Sequence, residues 1–447
     1  MKRFLWLGFV LCLYLICSGC GETFRPIIVP NAPIFPNPRA AHTVISINDN
    51  GTVVPGTAMV IDVSGDTNIS VTNVGTTPVH AVQQTAGQVL VVNQAVPGTL
   101  GASISKLNFN SILIAGNSTI TLPPDSAPNF VATTESVQAY VTMPGFSPPS
   151  VGVVNTQSNS LTNTIPVGNN PVALAETPNA LKLYVANQGD NTVSGFNVVD
   201  RSLRSVISGF NSPVWLAERS DSQRLYVLNQ GNGTVGTVDT TSTAGPDTLI
   251  GTTPAAPGAA YMLYDGNLNR LFIPGGSELA ILDAAPSVAT VINGTPVIIP
   301  PVALSARTTS NDPCALTTVP TGVNTIAVTT LPDGSRAYVG SYYEAAVQGV
   351  NTICPQVTVI DAVSNTIKSN IAIPGFAAFD AFCSTTRLRL SMASAGDSSR
   401  AYLGSCDGGN VSIVDTTTDT YVVNIPAPAG SRFNNPPQSP VFLLAGP

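Results

Sequence analysis

Leu183-Tyr184-Val185-Ala186-Asn187-Gln188-Gly189-Asp190-Asn191-Thr192-Val193 reads as an alternating apolar run, a polar Gly/Asp/Asn turn and the opening of a second run. A period of two on either side of turn-forming residues is the pattern of a β-hairpin. Degenerate copies occupy most of the chain. Arg224-Leu225-Tyr226-Val227 leads through Gly231-Asn232-Gly233 to Val238-Asp239, and Arg270-Leu271-Phe272-Ile273 leads through Gly275-Gly276 to Ile281-Leu282-Asp283. Arg336-Ala337-Tyr338-Val339 leads to Val359-Ile360-Asp361, Arg400-Ala401-Tyr402-Leu403 leads to Ile413-Val414-Asp415, and Tyr140-Val141 is a weaker sixth member.

The aromatic recurs at 140, 184, 226, 272, 338 and 402, in steps of 44, 42, 46, 66 and 64 residues. A period of ~40–50 residues with four short strands per copy is the signature of a β-propeller, in which one blade cannot bury its faces alone and a ring of blades can. The two long steps require insertions. Unit 171–213 shows all four strands: Val172 to Ala175 (A), Leu183 to Ala186 (B), Val193 to Phe196 (C) and Arg204 to Ile207 (D), before Ser212-Pro213 opens the next. Tyr184-Val185-Ala186-Asn187, Val357 to Asp361 and Ile165-Pro166-Val167-Gly168-Asn169-Asn170-Pro171 resemble successive elements of the YVTN-type β-propeller repeat family. The resemblance runs over roughly residues 42–445, with Asn155 and Asn197 standing where the pattern has Asp. It implies a fold and says little about activity.

Residues 41–77 supply strands B, C and D without an A: His42 to Ile47, Ala58 to Val63 and Asn68 to Val74. Ser439-Pro440-Val441-Phe442-Leu443-Leu444-Ala445 copies Ser212-Pro213-Val214-Trp215-Leu216-Ala217, so the missing A comes from the C-terminus. A blade shared by the two termini hides both edge strands. With further units starting near 78, 124, 171, 213, 257, 323 and 378, the count is eight. Residues 41–445 then give about 51 per blade, and the family's common number, seven, is the alternative. The expected fold is therefore all-β, a single propeller of four-stranded antiparallel blades over 41–447.

Lys2-Arg3, the apolar run Phe4 to Ile16 and Cys17-Ser18-Gly19-Cys20 have the parts of a secretory signal over 1–19, too short for a comfortable transmembrane helix. Ser18-Gly19 before Cys20 resembles the bacterial lipoprotein signal, with Cys17 departing from it, and implies cleavage before Cys20 and its acylation. Several fatty chains give a stable anchor where one is marginal. Gly21 rather than Asp after that cysteine permits, by resemblance, export to the outer membrane, and the expected location is the periplasm or the cell surface. Residues 20–40 carry Pro26, Pro30, Pro33, Pro36 and Pro38, a semi-rigid tether reaching ~60 Å if extended. Charged residues are only 10% of the chain against a usual ~25%, and the net charge of -7 has no Lys/Arg cluster to oppose it. Nucleic acid is excluded as a partner on that ground.

Four cysteines remain beyond the leader: Cys314, Cys354, Cys383 and Cys406. An even number in an exported chain points to disulfides. In a four-stranded meander the D-to-A connections and the B–C hairpins share one face. Asp333 to Ser341 matches Asp397 to Ser405, which registers the last two blades 64 residues apart. Each then has one cysteine before strand A (Cys314, Cys383) and one at the B–C hairpin (Cys354, Cys406), so within-blade pairs are expected. Free or zinc-bound thiols are the alternative, without C-x-x-C spacing to support it. The extra length, 294–322, 341–356 and 376–388, falls on the same face, where long loops on a rigid scaffold carry recognition.

His42 and His80 are the only histidines, which removes mechanisms needing several imidazoles. His80 lies on an inner strand, where a satisfied strand histidine is the favoured reading. The Asp recurring at 62, 239, 283, 361 and 415 and the Arg at 224, 270, 336 and 400 repeat once per blade, which marks structural roles. Glu176, Glu218 and Arg219, at the ends of two successive A strands, are the one candidate acid/base group, and a solvated A–B turn explains them equally. No metal or cofactor site is expected. A quinone-dependent dehydrogenase of this architecture uses a Trp in most blades, and Trp215 is the only one past the leader. The expectation is a monomeric, envelope-anchored binding module for a protein or glycan, more an interaction domain than an enzyme. The alternative, by resemblance to the propeller lactonases, is a lactone hydrolase.

Overall fold

Alternating apolar residues commit each run to a strand, and eight antiparallel blades of four strands result, one of which gains a short fifth strand at its edge. They are seen in a computed structural model that describes residues 43–446 apart from 85–86, 96–100, 135–136, 285–294, 306–313, 315–322, 348, 376 and 432–436. The leader, Cys20, the tether, His42 and most of 294–322 lie outside the described residues. Blade 4 is typical: A Pro171–Glu176, B Lys182–Asn187, C Thr192–Asn197 and D Leu203–Ile207. The A strands of neighbouring blades approach one another most closely and so line the axis, while the D strands splay outward.

The ring closes as expected. Strand Ser439–Ala445 pairs antiparallel with Thr43–Asp49, completing a blade whose other strands are Thr57–Asp62 and Thr67–Asn73. The repeated aromatics Tyr140, Tyr184, Tyr226, Phe272, Tyr338 and Tyr402 are all buried to 1% or less between blades. Each buried hydroxyl needs a partner. Tyr184 donates to Asp247 (2.8 Å), Tyr226 to the Ala284 carbonyl (2.9 Å) and Tyr338 to Asp419 (2.6 Å), in every case a C–D turn of the next blade.

The basic residue opening strand B makes the same reach. Lys182 meets Asp247 at 2.9 Å, Arg336 meets Asp419 at 2.8 Å, and Arg400 meets Asp66 at 3.1 Å across the closure. At Lys182/Tyr184 and Arg336/Tyr338 the basic residue and the tyrosine are thus one clip between consecutive blades, whereas Arg224 pairs with Asp239 of its own blade at 3.0 Å. The recurrent Asp works inside its own blade: Asp361 accepts the N–H groups of Val363 and Ser364, and Asp415 those of Thr417 and Thr418. Asn155 does the same with its amide oxygen, which is why the repeat tolerates it.

Three regions differ from expectation. Strand A begins late in blade 3 (Val131–Ala132), blade 6 (Leu263–Asp265) and blade 8 (Leu390–Ser394). Residues 341–356, expected as a loop, continue the ladder: Arg336–Val347 and Val350–Asp361 form a twelve-residue hairpin arm, because Tyr343, Ala345, Ile353 and Cys354 give it a buried apolar face. The segment before blade 8 holds a two-residue strand, Ala377–Ala378, paired with Ile353 and Thr352 of that arm, and a 3-10 turn, Phe382–Ser384.

Candidate functional site

The site begins with a turn. Thr77, Asn170 and Ser212 precede Pro78, Pro171 and Pro213 with φ of 51°, 50° and 51°, a left-handed entry into strand A. The residue after each proline is skipped in the A–B ladder: Pro171 faces Asn187 and Ala173 faces Ala186, and the same slip occurs at Pro213/Trp215 and Pro78/His80. A bulge of this kind turns peptide groups away from the sheet. The carbonyls of Val172 and Val214 are released in this way at the channel mouth.

Both are taken by Arg387. Its Nη1 donates to the Val172 carbonyl at 2.8 Å and its Nη2 to the Val214 carbonyl at 2.6 Å. The guanidinium carbon lies 4.7 Å from the Trp215 ring centroid and 5.0 Å from that of Phe130, cation–π geometry on both sides. Beneath it His80 stacks on Phe130 at 3.9 Å, with Phe442 at 4.7 Å, and Tyr261 stands edge-on to Trp215 at 4.8 Å. His80 accepts the Val131 N–H at 3.4 Å, a satisfied strand histidine. Burial, helped by the Arg387 charge, holds it neutral with a pKa well below the usual imidazole value. Loss of water pulls Arg387 down to about 10, still protonated at neutral pH.

What delivers Arg387 is the insertion before blade 8. Cys383 is joined to Cys406 and Cys314 to Cys354, the within-blade pairs. Arg389 grips Asp407 through Nε and Nη2 (2.7 and 2.8 Å), and the Asp380 N–H donates to the same carboxylate. Arg389 also lies 4.4 Å above Phe379 and 5.4 Å above Tyr342. Disulfide, ion pair and short strand together fix the loop from both ends.

Above Arg387 is a cavity of about 470 Å³, within the range of small-molecule sites. Its polar wall comes from Gln94, Gln188, Gln230, Asn129, Thr385 and Thr386, with Phe382 on one side. The three glutamines are equivalent, each following the Asn that ends strand B. Those asparagines lock the hairpin: Asn187 donates to Thr192 and Ser194, and Asn229 to Thr234. Gln188 is itself held by Asn170 and Ser212. Among the described residues lining the cavity there is no Asp, Glu or His.

The proposed acid/base residues are elsewhere and have different partners. Glu176 and Glu218 lie at the far end of their A strands, buried to 5% and 4% rather than solvated. Glu176 accepts the Thr134 N–H at 2.7 Å, while both carboxyl oxygens of Glu218 lack a hydrogen-bond partner among the described residues. Burial raises the Glu218 pKa well above the carboxylate range, nearby Lys182 opposing it and Asp247 adding to it. Arg219 turns out to the exposed turn and pairs with Asp221 at 2.7 and 2.9 Å. Sequence reasoning missed Arg387 and the glutamines, although two signals were present: an Asn-Gln pair at 93–94, 187–188 and 229–230, and an arginine off the repeat frame in the 376–388 insertion.

No protein-family model matches the chain, and no curated protein does. Solved structures do match, and they are β-propeller proteins. The dihydro-heme d1 dehydrogenase NirN is similar at a TM-score of 0.61 and 9% identity, over 91% of this chain and 75% of its own. AztD of Citrobacter koseri is similar at 0.59 and 10%, over 91% and 98%. The periplasmic gluconolactonase PpgL of Pseudomonas aeruginosa is similar at 0.52 and 14%, over 73% and 94%. At such identities the likeness is one of fold. Among the described residues no helix is long and apolar enough to cross a membrane, and no three His, Cys, Asp or Glu side chains converge as for a metal.

Proposed function

We propose that the protein is an exported binding module, tethered to the envelope through acylated Cys20, whose ligand occupies the mouth of the propeller channel. One observation carries the reading: the mouth cavity is walled by amides and hydroxyls, and Arg387, its one charged lining residue among the described residues, is fixed on two backbone carbonyls and two aromatic rings. Such a wall offers hydrogen bonds in both senses and no proton-transfer pair. Two disulfides support an oxidising compartment. The lactone-hydrolase alternative has only likeness of fold behind it.

The exported chain should bind envelope-derived saccharides or peptides in a thermal-shift screen, with binding weakened by Gln230→Ala, and should leave a panel of sugar lactones unhydrolysed in a pH-stat. Lactone turnover that survives Glu218→Gln but not Arg387→Gln would replace the binding reading with catalysis at the mouth. Cys20→Ala should move the protein from the membrane to the soluble fraction, and unchanged membrane association would remove the anchor.

A further inference from the structure

We propose that the mouth cavity is an acidic-saccharide site in which Arg387 receives the carboxylate of the ligand. The proposal rests on the reading of the mouth as the binding site and goes further by naming the ligand class. Its first ground is charge. Arg204, Arg219, Arg224, Arg336, Arg389 and Arg400 each meet an aspartate, whereas among the described residues Arg387 meets none. A guanidinium has five N–H donors. Two of those on Arg387 go to the carbonyls of Val172 and Val214, and the other three have no partner among the described residues. The residue lines the cavity, and no acidic side chain shares that wall among the described residues.

The second ground is preorganisation. Phe130 and Trp215 set the plane of the guanidinium, and the Cys383–Cys406 bond with the Arg389–Asp407 ion pair sets its backbone. A planar donor fork held in place, poor in water and without a counter-ion, suits a carboxylate, which it can meet with two parallel hydrogen bonds. An anion arriving there also restores the neutralisation that desolvation denies the group, the state reported by its lowered pKa.

The third ground separates a sugar from a peptide. Gln94 and Gln230 present amides from two blades, Gln188 adds the donor and acceptor capacity that Asn170 and Ser212 leave it, and Thr385 and Thr386 add hydroxyls. Spaced side chains that both donate and accept match hydroxyl groups distributed around a ring. Peptide capture by strand addition needs an open ladder edge. At the mouth the released carbonyls of Val172 and Val214 are already occupied by Arg387.

The test is calorimetric titration of the exported chain with a galacturonate trimer, its methyl ester and the neutral galactose trimer. The acid should bind at least tenfold more tightly than either uncharged form, with the difference shrinking as salt is raised. Arg387→Gln should erase the preference and Arg387→Lys should keep part of it. The ester alters the ligand alone, so the comparison stands even where a variant folds poorly. Equal affinity for all three ligands, or a preference that survives Arg387→Gln, overturns the carboxylate assignment while leaving the mouth as a binding site. Binding of none of the three removes the saccharide assignment. A short peptide that binds with a free C-terminus and not as the amide, where the sugars fail, transfers the site to a peptide ligand. Failure of sugars and peptide alike counts against the mouth reading itself.

Discussion

Strand A of blade 5, Pro213–Glu218, touches an ionisable group withdrawn from bulk water at each end. At Val214 the strand gives its carbonyl to Arg387. Four residues on, Glu218 is buried with no hydrogen-bond partner for either oxygen among the described residues. The two groups are handled oppositely. Arg387 keeps its charge because an insertion surrounds it with carbonyls and ring faces, while burial pushes the Glu218 carboxyl toward its protonated form against the pull of Lys182. The neighbouring blade shows why. Glu176 accepts the N–H of Thr134, and in blades 3 and 4 the same turn is closed by Thr133 on the Gln138 carbonyl and by Thr177 on the Lys182 carbonyl. Thr134 is thus equivalent to Pro178, which has no N–H to give Glu218. One end of the channel is an addition to the repeat; the other is a repeat position that lost its partner.

The hardest way to break the comparison is to loosen the mount. Replacing Cys383 and Cys406 by Ser opens a loop of sequence separation 23 and should cost about 3 kcal/mol by the loop-entropy estimate. In a chain this long that is a fall in Tm on the order of 5 °C. Trp215 is the only tryptophan beyond the leader, and Arg387 lies against it, so its emission reports the plug. Unchanged emission in the double Ser variant would mean that the ion pair and short strand hold Arg387 without the disulfide.

A smaller effect is expected from Arg387→Met, which leaves two carbonyls without their donor and should cost about 2 kcal/mol. Arg387→Lys should recover part of the loss, because a single ammonium cannot span both carbonyls and stack on both rings. Equal stability of all three forms would show that the channel mouth is organised without the plug.

The ring was legible because its cause is local and periodic: a buried aromatic, a basic residue opening strand B and a turn Asp or Asn recur in most blades, and the displaced strand 439–445 is a near copy of 212–217. The cysteine pairs followed from registering two blades. The candidate site was less legible because it depends on coincidence in space. Arg387 reaches Val172 and Val214 from a distance of 215 and 173 residues, and no periodicity encodes that. Glu176 and Glu218 were found as residues but misplaced in setting, since strand-end position does not reveal that these ends are buried, Glu176 against Thr134 of the preceding blade.

His80 sharpens the contrast through pH. Its folded pKa is depressed, by burial first and Arg387 second, so below about 6.5 the unfolded chain takes up a proton that the folded chain refuses. Stability should therefore be retained above that pH and lost as pH falls beneath it. His80→Phe should flatten this limb in melts below about pH 6.5, and an unchanged slope would place the acid sensitivity on other groups.

The smallest effect belongs to Glu218, and its sign is opposite. With the folded pKa raised, the folded state holds a proton that the unfolded state releases once pH exceeds about 4.3. Glu218 therefore contributes a loss of stability that grows as pH rises toward its folded pKa. Glu218→Gln, similar in shape and never ionised, should match the wild type near pH 4 and exceed it increasingly toward pH 7. Pro178→Ala then tests the cause. It restores an N–H where Thr134 has one, which should lower the Glu218 pKa and shrink the gain from Glu218→Gln, against a loss of about 0.4–1 kcal/mol for the freer unfolded chain. If the two substitutions act additively, the missing N–H is not what leaves Glu218 neutral, and burial alone accounts for it.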